Sequence, residues 1–219
     1  MNNKSKKVAV LYSAMYGGGH PFDSFCEEIE IVNRPHELEN PDSVLVIWGG
    51  SDINPKLYNH PQSRTTYPSA SRDPVEWDLI GRAVKMGIPI IGVCRGAQML
   101  CAKAGGFLIQ DVENHVGQHR VVTHKGDEVT VNSIHHQMLG GIEQVPHELL
   151  AWCDTPISSK YIWKDDQEYI PPKGFKEPEM VWFPEIKGMA IQWHPEGMSA
   201  NSEATKFIFE ELQSHAVNS

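Results

Sequence analysis

Short apolar runs alternate with a helical pattern in the first half of the chain. Residues 8–12, 43–48 and 88–93 are continuous apolar segments of strand length, which is typical of strands buried on both faces of a parallel sheet. Between the last two, residues 73–86 repeat apolar side chains at three- and four-residue steps, with Pro74 in the first turn and Gly87 after the end. The pattern predicts strand–helix–strand units and therefore a doubly wound α/β sheet.

The second half has a different pattern. Residues 129–133, 149–153, 180–183 and 188–193 are short β-prone runs separated by turns, and they predict additional strands that meander. Residues 202–213 place Ala204, Phe207, Ile208 and Leu212 on one helical stripe. Neither an internal repeat nor a linker divides the chain, so we predict one domain over residues 1–219.

The amino-acid composition argues against several classes of protein. The 219 residues carry 19 Lys and Arg against 28 Asp and Glu, a net charge of −9, which is unfavourable for binding nucleic acid. Membrane insertion is not expected, because no segment approaches the roughly 20 apolar residues of a spanning helix. Four cysteines are too sparse for a disulfide scaffold. Residues 8–12 also resemble a buried strand more than a signal peptide, so we expect a cytoplasmic protein.

The strongest candidate for a catalytic residue lies at the end of the third apolar run. Gly92-Val93-Cys94-Arg95-Gly96 has the Gly-x-x-x-Gly spacing of a nucleophile elbow, with cysteine in place of serine. Such a turn projects the middle side chain above the sheet, at a helix N-terminus that stabilises a thiolate. The backbone amide of Arg95 would face the developing oxyanion. The alternative is an inert, packed cysteine, which is how we interpret Cys26, Cys101 and Cys153.

A second segment supplies a base for this cysteine. His194 follows an apolar strand and Glu196 comes two residues later, with Pro195 between them. Cys94 and His194 would then lie at the carboxyl ends of neighbouring strands, where a Cys-His-Glu relay can form. Taken alone, His-Pro-Glu would be a solvated turn.

Other candidate sites are weaker. Residues 17–19 are glycines but lack the Lys-Ser/Thr of a phosphate-binding loop. His115 and His119, one helical turn apart, suggest zinc, with His124, His135 and His136 nearby. No cysteine or carboxylate completes a familiar ligand spacing. We therefore expect neither a metal nor a cofactor.

Four blocks in order resemble the class I glutamine amidotransferase superfamily, and within it the γ-glutamyl hydrolase-like, peptidase C26-type branch. The blocks are residues 48–55 with Tyr58, residues 92–106 with Gln110 and Asp111, residues 131–137, and residues 192–196. The resemblance implies a flavodoxin-like, three-layer fold around a mostly parallel sheet, with extra antiparallel strands in the second half. Arg95 after the cysteine and the His135-His136-Gln137 run favour the hydrolase-like branch.

The resemblance also implies roles for individual residues. Cys94 would form a γ-glutamyl thioester, His194 would transfer protons, and Glu196 would orient His194. The amides of Gly50 and Arg95 would form the oxyanion hole. The substrate-binding residues would be Gln98, which contacts the glutamyl group, and the backbone around Ser133, His135 and His136.

Three functions remain open at this point. The first is hydrolysis of glutamine or another small γ-glutamyl amide. The second is a glutaminase subunit that delivers ammonia to a separate synthetase or ligase. The third is a binding module of the same fold without catalysis. The sequence does not indicate the amine or the oligomeric state.

Overall fold

The structure is a computed structural model that describes residues 7–10, 21–22 and 29–217. The strands within these residues are β1 (Lys7–Val10), β2 (Ile29–Ile31), β3 (Ser43–Ile47), β4 (Ile90–Val93), β5 (Phe107–Ile109), β6 (Asp111–Val112), β7 (Val116–Thr123), β8 (Glu128–Ile134), β9 (Met138–Gly140), β10 (Glu148–Cys153), β11 (Tyr161–Ile162), β12 (Glu177–Phe183) and β13 (Gly188–Ile191). The α-helices are α1 (Arg72–Met86), α2 (Arg95–Ala104) and α3 (Glu203–Leu212). Short 3-10 turns include Pro55–Tyr58 and Pro195–Gly197, and the π-helical turn Gln213–Val217 follows α3.

Nine of these strands form one mixed sheet. Their order is β2-β1-β3-β4-β13-β12-β10-β7-β8. The pairings from β2 to β13 are parallel, and those from β13 to β8 are antiparallel. The predicted α/β sheet with extra antiparallel strands is confirmed, and the antiparallel part supplies as many pairings as the parallel part.

Helices cover both faces of the sheet. Along β3, Val44 and Val46 belong to the apolar cluster that contains Phe207 of α3. Leu45 and Ile47 belong to the opposite cluster, with the apolar residues of α1 and α2. Because successive side chains of a strand point to opposite faces, a strand buried throughout separates the two helical layers. This is the expected three-layer arrangement.

The element boundaries follow local chemistry. Gly87 ends α1 with φ 69°, in the left-handed region that glycine adopts without steric cost. The Ser202 hydroxyl accepts a hydrogen bond from the Thr205 amide at the start of α3. The sequence pattern missed β7, whose outer residues are largely exposed. His119 therefore lies on a strand, and the helical spacing that we assumed for His115 and His119 was wrong.

Some sequence features lie outside the described residues. They are the end of the first predicted strand at residues 11–12, the glycines at 17–19, and Cys26. Within the described part of the chain, the helices are too short or too polar to span a bilayer.

Candidate active site

Cys94 occupies a strained turn between β4 and α2. Its φ of 51° and ψ of −106° are an unfavourable backbone conformation for a residue with a side chain, and such strain is concentrated at functional sites. The Cys94 amide donates to the Ile191 carbonyl at 2.7 Å, and the Cys94 carbonyl accepts from the Gln98 amide at 3.2 Å. The turn is thus held by β13 on one side and by α2 on the other.

The two glycines around Cys94 are required sterically. A Cβ atom on Gly92 would lie 2.4 Å from the Gly96 carbonyl oxygen, and one on Gly96 would lie 2.1 Å from the Ile47 carbonyl oxygen. Both obstacles are backbone atoms, which cannot rotate away. The Gly-x-Cys-x-Gly pattern therefore lets the helix begin against the sheet immediately after the cysteine.

His194 lies where β13 ends, and two neighbours hold it. Its Nδ1 atom is 2.7 Å from Oε1 of Glu196. The Asn132 side chain on β8 accepts from the His194 amide at 3.0 Å and donates to the His194 carbonyl at 2.8 Å. The ring is thus oriented by Glu196 and the backbone by Asn132, a residue that the sequence analysis did not single out.

Cys94 and His194 interact in a largely buried environment. Cys94 is 6% exposed and His194 8% exposed. Burial lowers the pKa of His194, but its interactions with Cys94 and Glu196 outweigh burial and raise the pKa to about 10. Nε2 of His194 has no hydrogen-bond partner among the described residues, so the relay from Cys94 through His194 stays a prediction, whereas the contact of His194 with Glu196 is observed.

This raised pKa predicts a specific pH dependence of stability. A histidine whose pKa rises on folding, here from 6.5 to about 10, stabilises the fold fully below pH 6.5 and loses that contribution as pH rises toward 10. Because Glu196 is one cause of the shift, Glu196→Gln is expected to lower the melting temperature most near pH 6.5. The measurement is thermal unfolding of both proteins from pH 6.5 to 10. A difference in melting temperature that stays constant across this range would contradict the assignment.

The side chain of Arg95 has a structural setting that the sequence did not indicate. Its guanidinium is 1% exposed and pairs with Asp73 and Glu76 of α1. Glu76 also pairs with Arg72 at 2.6 Å. We call Arg72, Asp73, Glu76 and Arg95 the ion-pair network. The sequence feature that could have indicated this network is the pair Arg72 and Glu76, four residues apart at the start of α1.

The ion-pair network connects the cysteine turn to the loop that carries Gly50. Arg72 donates to the Gly49 carbonyl at 3.0 Å and to the Trp48 carbonyl at 3.3 Å. Gly50 has φ 149°, and a Cβ atom there would lie 2.2 Å from Arg72 Nη1. The loop backbone and the start of α2 are thereby held close together.

The predicted substrate-binding residues have buried or paired side chains. Gln98 is 3% exposed and donates to the Gln137 carbonyl at 3.1 Å. The Ser133 hydroxyl donates to the His115 carbonyl at 2.7 Å. His135 is 4% exposed, and its ring centroid lies 4.7 Å from that of His115. Substrate binding by these residues stays a prediction that involves the backbone of residues 133–136 and the amide of Gln98.

His136 differs from these residues because its side chain is partly exposed. Nε2 lies 3.0 Å from Asp52 Oδ1, and Nδ1 lies 3.2 Å from Asp111 Oδ1. The hydrogen bond to Asp52 raises the pKa of His136, against the effect of burial. Asp52 and Asp111 belong to two of the blocks recognised in the sequence, although we had assigned no role to either.

Solved structures of other proteins share this fold. A glutamine amidotransferase of Thermotoga maritima superposes with a TM-score of 0.58 and 17% identity, covering 97% of this chain and 84% of that chain. The chain therefore has the fold of the class I glutamine amidotransferases.

Sequence comparisons define the family within that class. The family model of Peptidase C26 matches residues 35–153, which is more than half of the chain, so the chain belongs to the peptidase C26 family. It is 28% identical to Protein NtpR of Enterococcus hirae over 177 residues, covering 76% of this chain and 72% of that protein. It is 34% identical to the gamma-glutamyl-CDP-amidate hydrolase of Campylobacter jejuni over 126 residues, covering 58% of this chain and 57% of that protein. Membership in this family supports an amidohydrolase.

Proposed function

We propose that the protein hydrolyses a small γ-glutamyl amide through a γ-glutamyl thioester on Cys94. The observation that carries the proposal is the strained turn at Cys94, together with the interaction of Cys94 with His194, whose Nδ1 lies 2.7 Å from Glu196. An inert core cysteine needs neither a strained backbone nor a buried, oriented imidazole. Both features suit a nucleophile and its base.

The first half of the reaction forms the thioester. His194 holds the proton released by the Cys94 thiol, in keeping with its raised pKa, and the sulfur attacks the side-chain carbonyl carbon of the substrate. The resulting oxyanion accepts hydrogen bonds from the amides of Gly50 and Arg95. His194 then donates its proton to the leaving nitrogen, the C–N bond breaks, and ammonia or an amine departs.

The second half returns the enzyme to its starting state. Water attacks the thioester carbonyl while His194 accepts one proton from it. The C–S bond breaks, glutamate leaves with the hydroxyl from water, and His194 again holds the proton beside the Cys94 sulfur. Glu196 stabilises the imidazolium that forms in each half, since its carboxylate accepts from Nδ1.

The ion-pair network supports the oxyanion hole in this proposal. Arg72 holds the carbonyls on the N-terminal side of Gly50, and Arg95 anchors its own residue to α1. The two amides that bind the oxyanion thus belong to segments held by one buried set of charges. Preorganised donors of this kind stabilise a transition state without reorganisation at the moment of reaction.

The substrate class has support from a relative. The Campylobacter protein is named a gamma-glutamyl-CDP-amidate hydrolase, and that name fits a site that binds the glutamyl part of a substrate and releases the remainder. A glutaminase subunit that passes ammonia to a separate synthetase or ligase would use the same chemistry. It would differ in needing its partner for activity.

The test is a substrate screen combined with active-site labelling. Wild-type protein is incubated with glutamine and a series of γ-glutamyl amines, and glutamate and the released amine are both quantified. We expect equal amounts of the two products from at least one substrate. We also expect an electrophilic glutamine analogue to modify Cys94, with glutamine protecting against modification. The Cys101→Ala variant is the matched control, because burial raises the pKa of that thiol to about 12 and the variant should label like wild type.

Three results would separate the alternatives. Labelling of Cys94 without turnover, followed by turnover once a synthetase or ligase is added, would identify a glutaminase subunit. Binding of glutamine with neither labelling nor turnover would identify a silent binding module. Labelling at Cys101 or Cys153 instead of Cys94 would reject the proposed nucleophile.

A further inference from the structure

Six side chains with metal-ligating atoms, five of them buried, meet on the antiparallel half of the sheet. We call them the His-Glu-Cys cluster: His115, His119, His135, Cys153, Glu177 and Glu179. His119 lies on β7, Cys153 on β10 and both glutamates on β12. The His119 side chain is 9% exposed, and the other five members are buried. The reaction proposed above uses none of these side chains.

Four members converge on one point. Oε1 of Glu179 lies 3.4 Å from Nδ1 of His115 and 3.2 Å from Nε2 of His119. It also lies 3.8 Å from the Cys153 sulfur. The donor atoms of all four residues lie within 4.8 Å of one another. In a tetrahedral zinc site with bonds near 2.0 Å, neighbouring nitrogen and oxygen ligands are about 3.3 Å apart, so two of these separations already match.

Several nitrogen and oxygen atoms of the cluster have no hydrogen-bond partner within the described part of the chain. Both ring nitrogens of His115, Nε2 of His119 and Oε2 of Glu179 are buried without a hydrogen-bond partner. Although the carboxylate oxygens are near the histidine nitrogens, the directions do not suit hydrogen bonds between them. A buried polar atom without a partner destabilises the fold. A cation that accepts the lone pairs of these atoms would remove that cost.

Glu177 is placed to orient His115. Its Oε2 atom lies 3.4 Å from Nε2 of His115 and accepts from the Ile157 amide at 2.8 Å. Its Oε1 atom accepts from the Tyr161 hydroxyl at 2.7 Å. A histidine that binds metal through one nitrogen commonly directs the other N–H to a carboxylate. Nδ1 of His115 lies 3.4 Å from Glu179 and Nε2 lies 3.4 Å from Glu177, so a small rotation of the ring on metal binding would complete this arrangement.

We propose that His115, His119, Cys153 and Glu179 bind one divalent transition-metal ion, with Zn²⁺ the best match. Two imidazoles, a thiolate and a carboxylate are ligands that zinc accepts, whereas calcium and magnesium prefer oxygen ligands alone. Binding releases to solvent the thiol proton of Cys153 and any proton on the ligating nitrogens of His115 and His119. The four ligands complete a closed, buried coordination sphere, which is typical of a structural site.

The ion would hold strands that position His194. Glu179 accepts through its carbonyl from the Gln192 amide at 2.8 Å, two residues before His194. His119 lies on β7, which pairs with β8, the strand whose Asn132 holds the His194 backbone. The metal site is therefore a positioning device on the antiparallel half of the sheet, separate from the reacting atoms.

The test uses the full-length chain, reduced and freed of metal with a chelator, then titrated with Zn²⁺ or Co²⁺. We expect one equivalent of Zn²⁺ per chain and a higher melting temperature with metal. With Co²⁺ we expect a thiolate-to-cobalt charge-transfer band.

Three variants test the individual ligands. Cys153→Ser should remove the cobalt band, and His119→Gln should lose stoichiometric binding. Glu177→Gln should weaken metal binding about 10- to 100-fold. His124→Gln is the matched control, because His124 pairs with Glu211 at 3.0 Å outside the cluster and should bind metal like wild type.

The wild-type measurements are decisive even where a variant fails to fold. Absence of stoichiometric binding to the reduced wild-type chain would overturn the proposal. So would a Co²⁺ spectrum without the thiolate band, or binding by folded His119→Gln and Cys153→Ser that equals wild type.

Discussion

Replacing Cys94 by alanine is expected to lower the rate of γ-glutamyl amide hydrolysis by roughly 10⁴- to 10⁶-fold. Without the sulfur no thioester forms, and the oxyanion hole and substrate binding alone leave only a small residual rate. The structure gives the reason for so large an effect, because the strained turn presents Cys94 next to His194. The measurement is steady-state glutamate release under saturating substrate.

Two further variants serve as comparisons for Cys94→Ala. Glu196→Gln retains the nucleophile but loses the carboxylate 2.7 Å from His194 Nδ1, so we expect a decrease in kcat of about 10⁴-fold. Cys101→Ala removes a buried thiol on the same helix and should retain most of the activity. Equal rates for wild type and Cys94→Ala would exclude the thioester mechanism.

The second large effect concerns stability. Glu76→Gln is expected to lower the free energy of unfolding by about 3–5 kcal/mol, since removing one partner of a buried ion pair leaves an uncompensated charge. Glu76 is fully buried and pairs with both Arg72 and Arg95. Urea unfolding followed by circular dichroism measures the change as a lower midpoint at an unchanged slope.

The control for Glu76 is an exposed ion pair. Arg120 and Glu128 are 2.8 Å apart, with side chains 76% and 60% exposed, so Glu128→Gln should change stability by less than about 1 kcal/mol. If the two glutamate variants unfold at the same urea concentration, the ion-pair network does not stabilise the fold as we infer. Since the network also supports the Gly50 loop, we expect Glu76→Gln to lower kcat as well.

The features predicted best are those that depend on neighbours in the sequence. The buried runs of β3 and β4, the helix from residue 72 to 86 and the turn at Cys94 all follow from local hydrophobicity and glycine spacing. β7 was missed because an outer strand with exposed polar residues has no continuous apolar run. The first three residues of β7 are exposed and resemble a loop until the pairing with β8 is known.

The features missed at the site depend on residues far apart in the chain. Glu76 and Asp73 become partners of Arg95 only when α1 packs beside α2. Asn132 meets His194 only across the sheet. Cys153 and Glu179 join His115 and His119 because β10, β12 and β7 are brought together. Ligand spacing along the sequence does not show this meeting, because it depends on which strands lie side by side.

The sequence by itself determined the α/β class, the cysteine turn and the family resemblance. These features depend on the pattern of apolar residues and on glycines beside a cysteine, which involve only residues close together in the chain. Only the tertiary structure decided which charges are buried together and which histidines share a site. Those outcomes depend on strand order and on the facing of side chains across the sheet. Local propensity carries no information about either until the strands are paired.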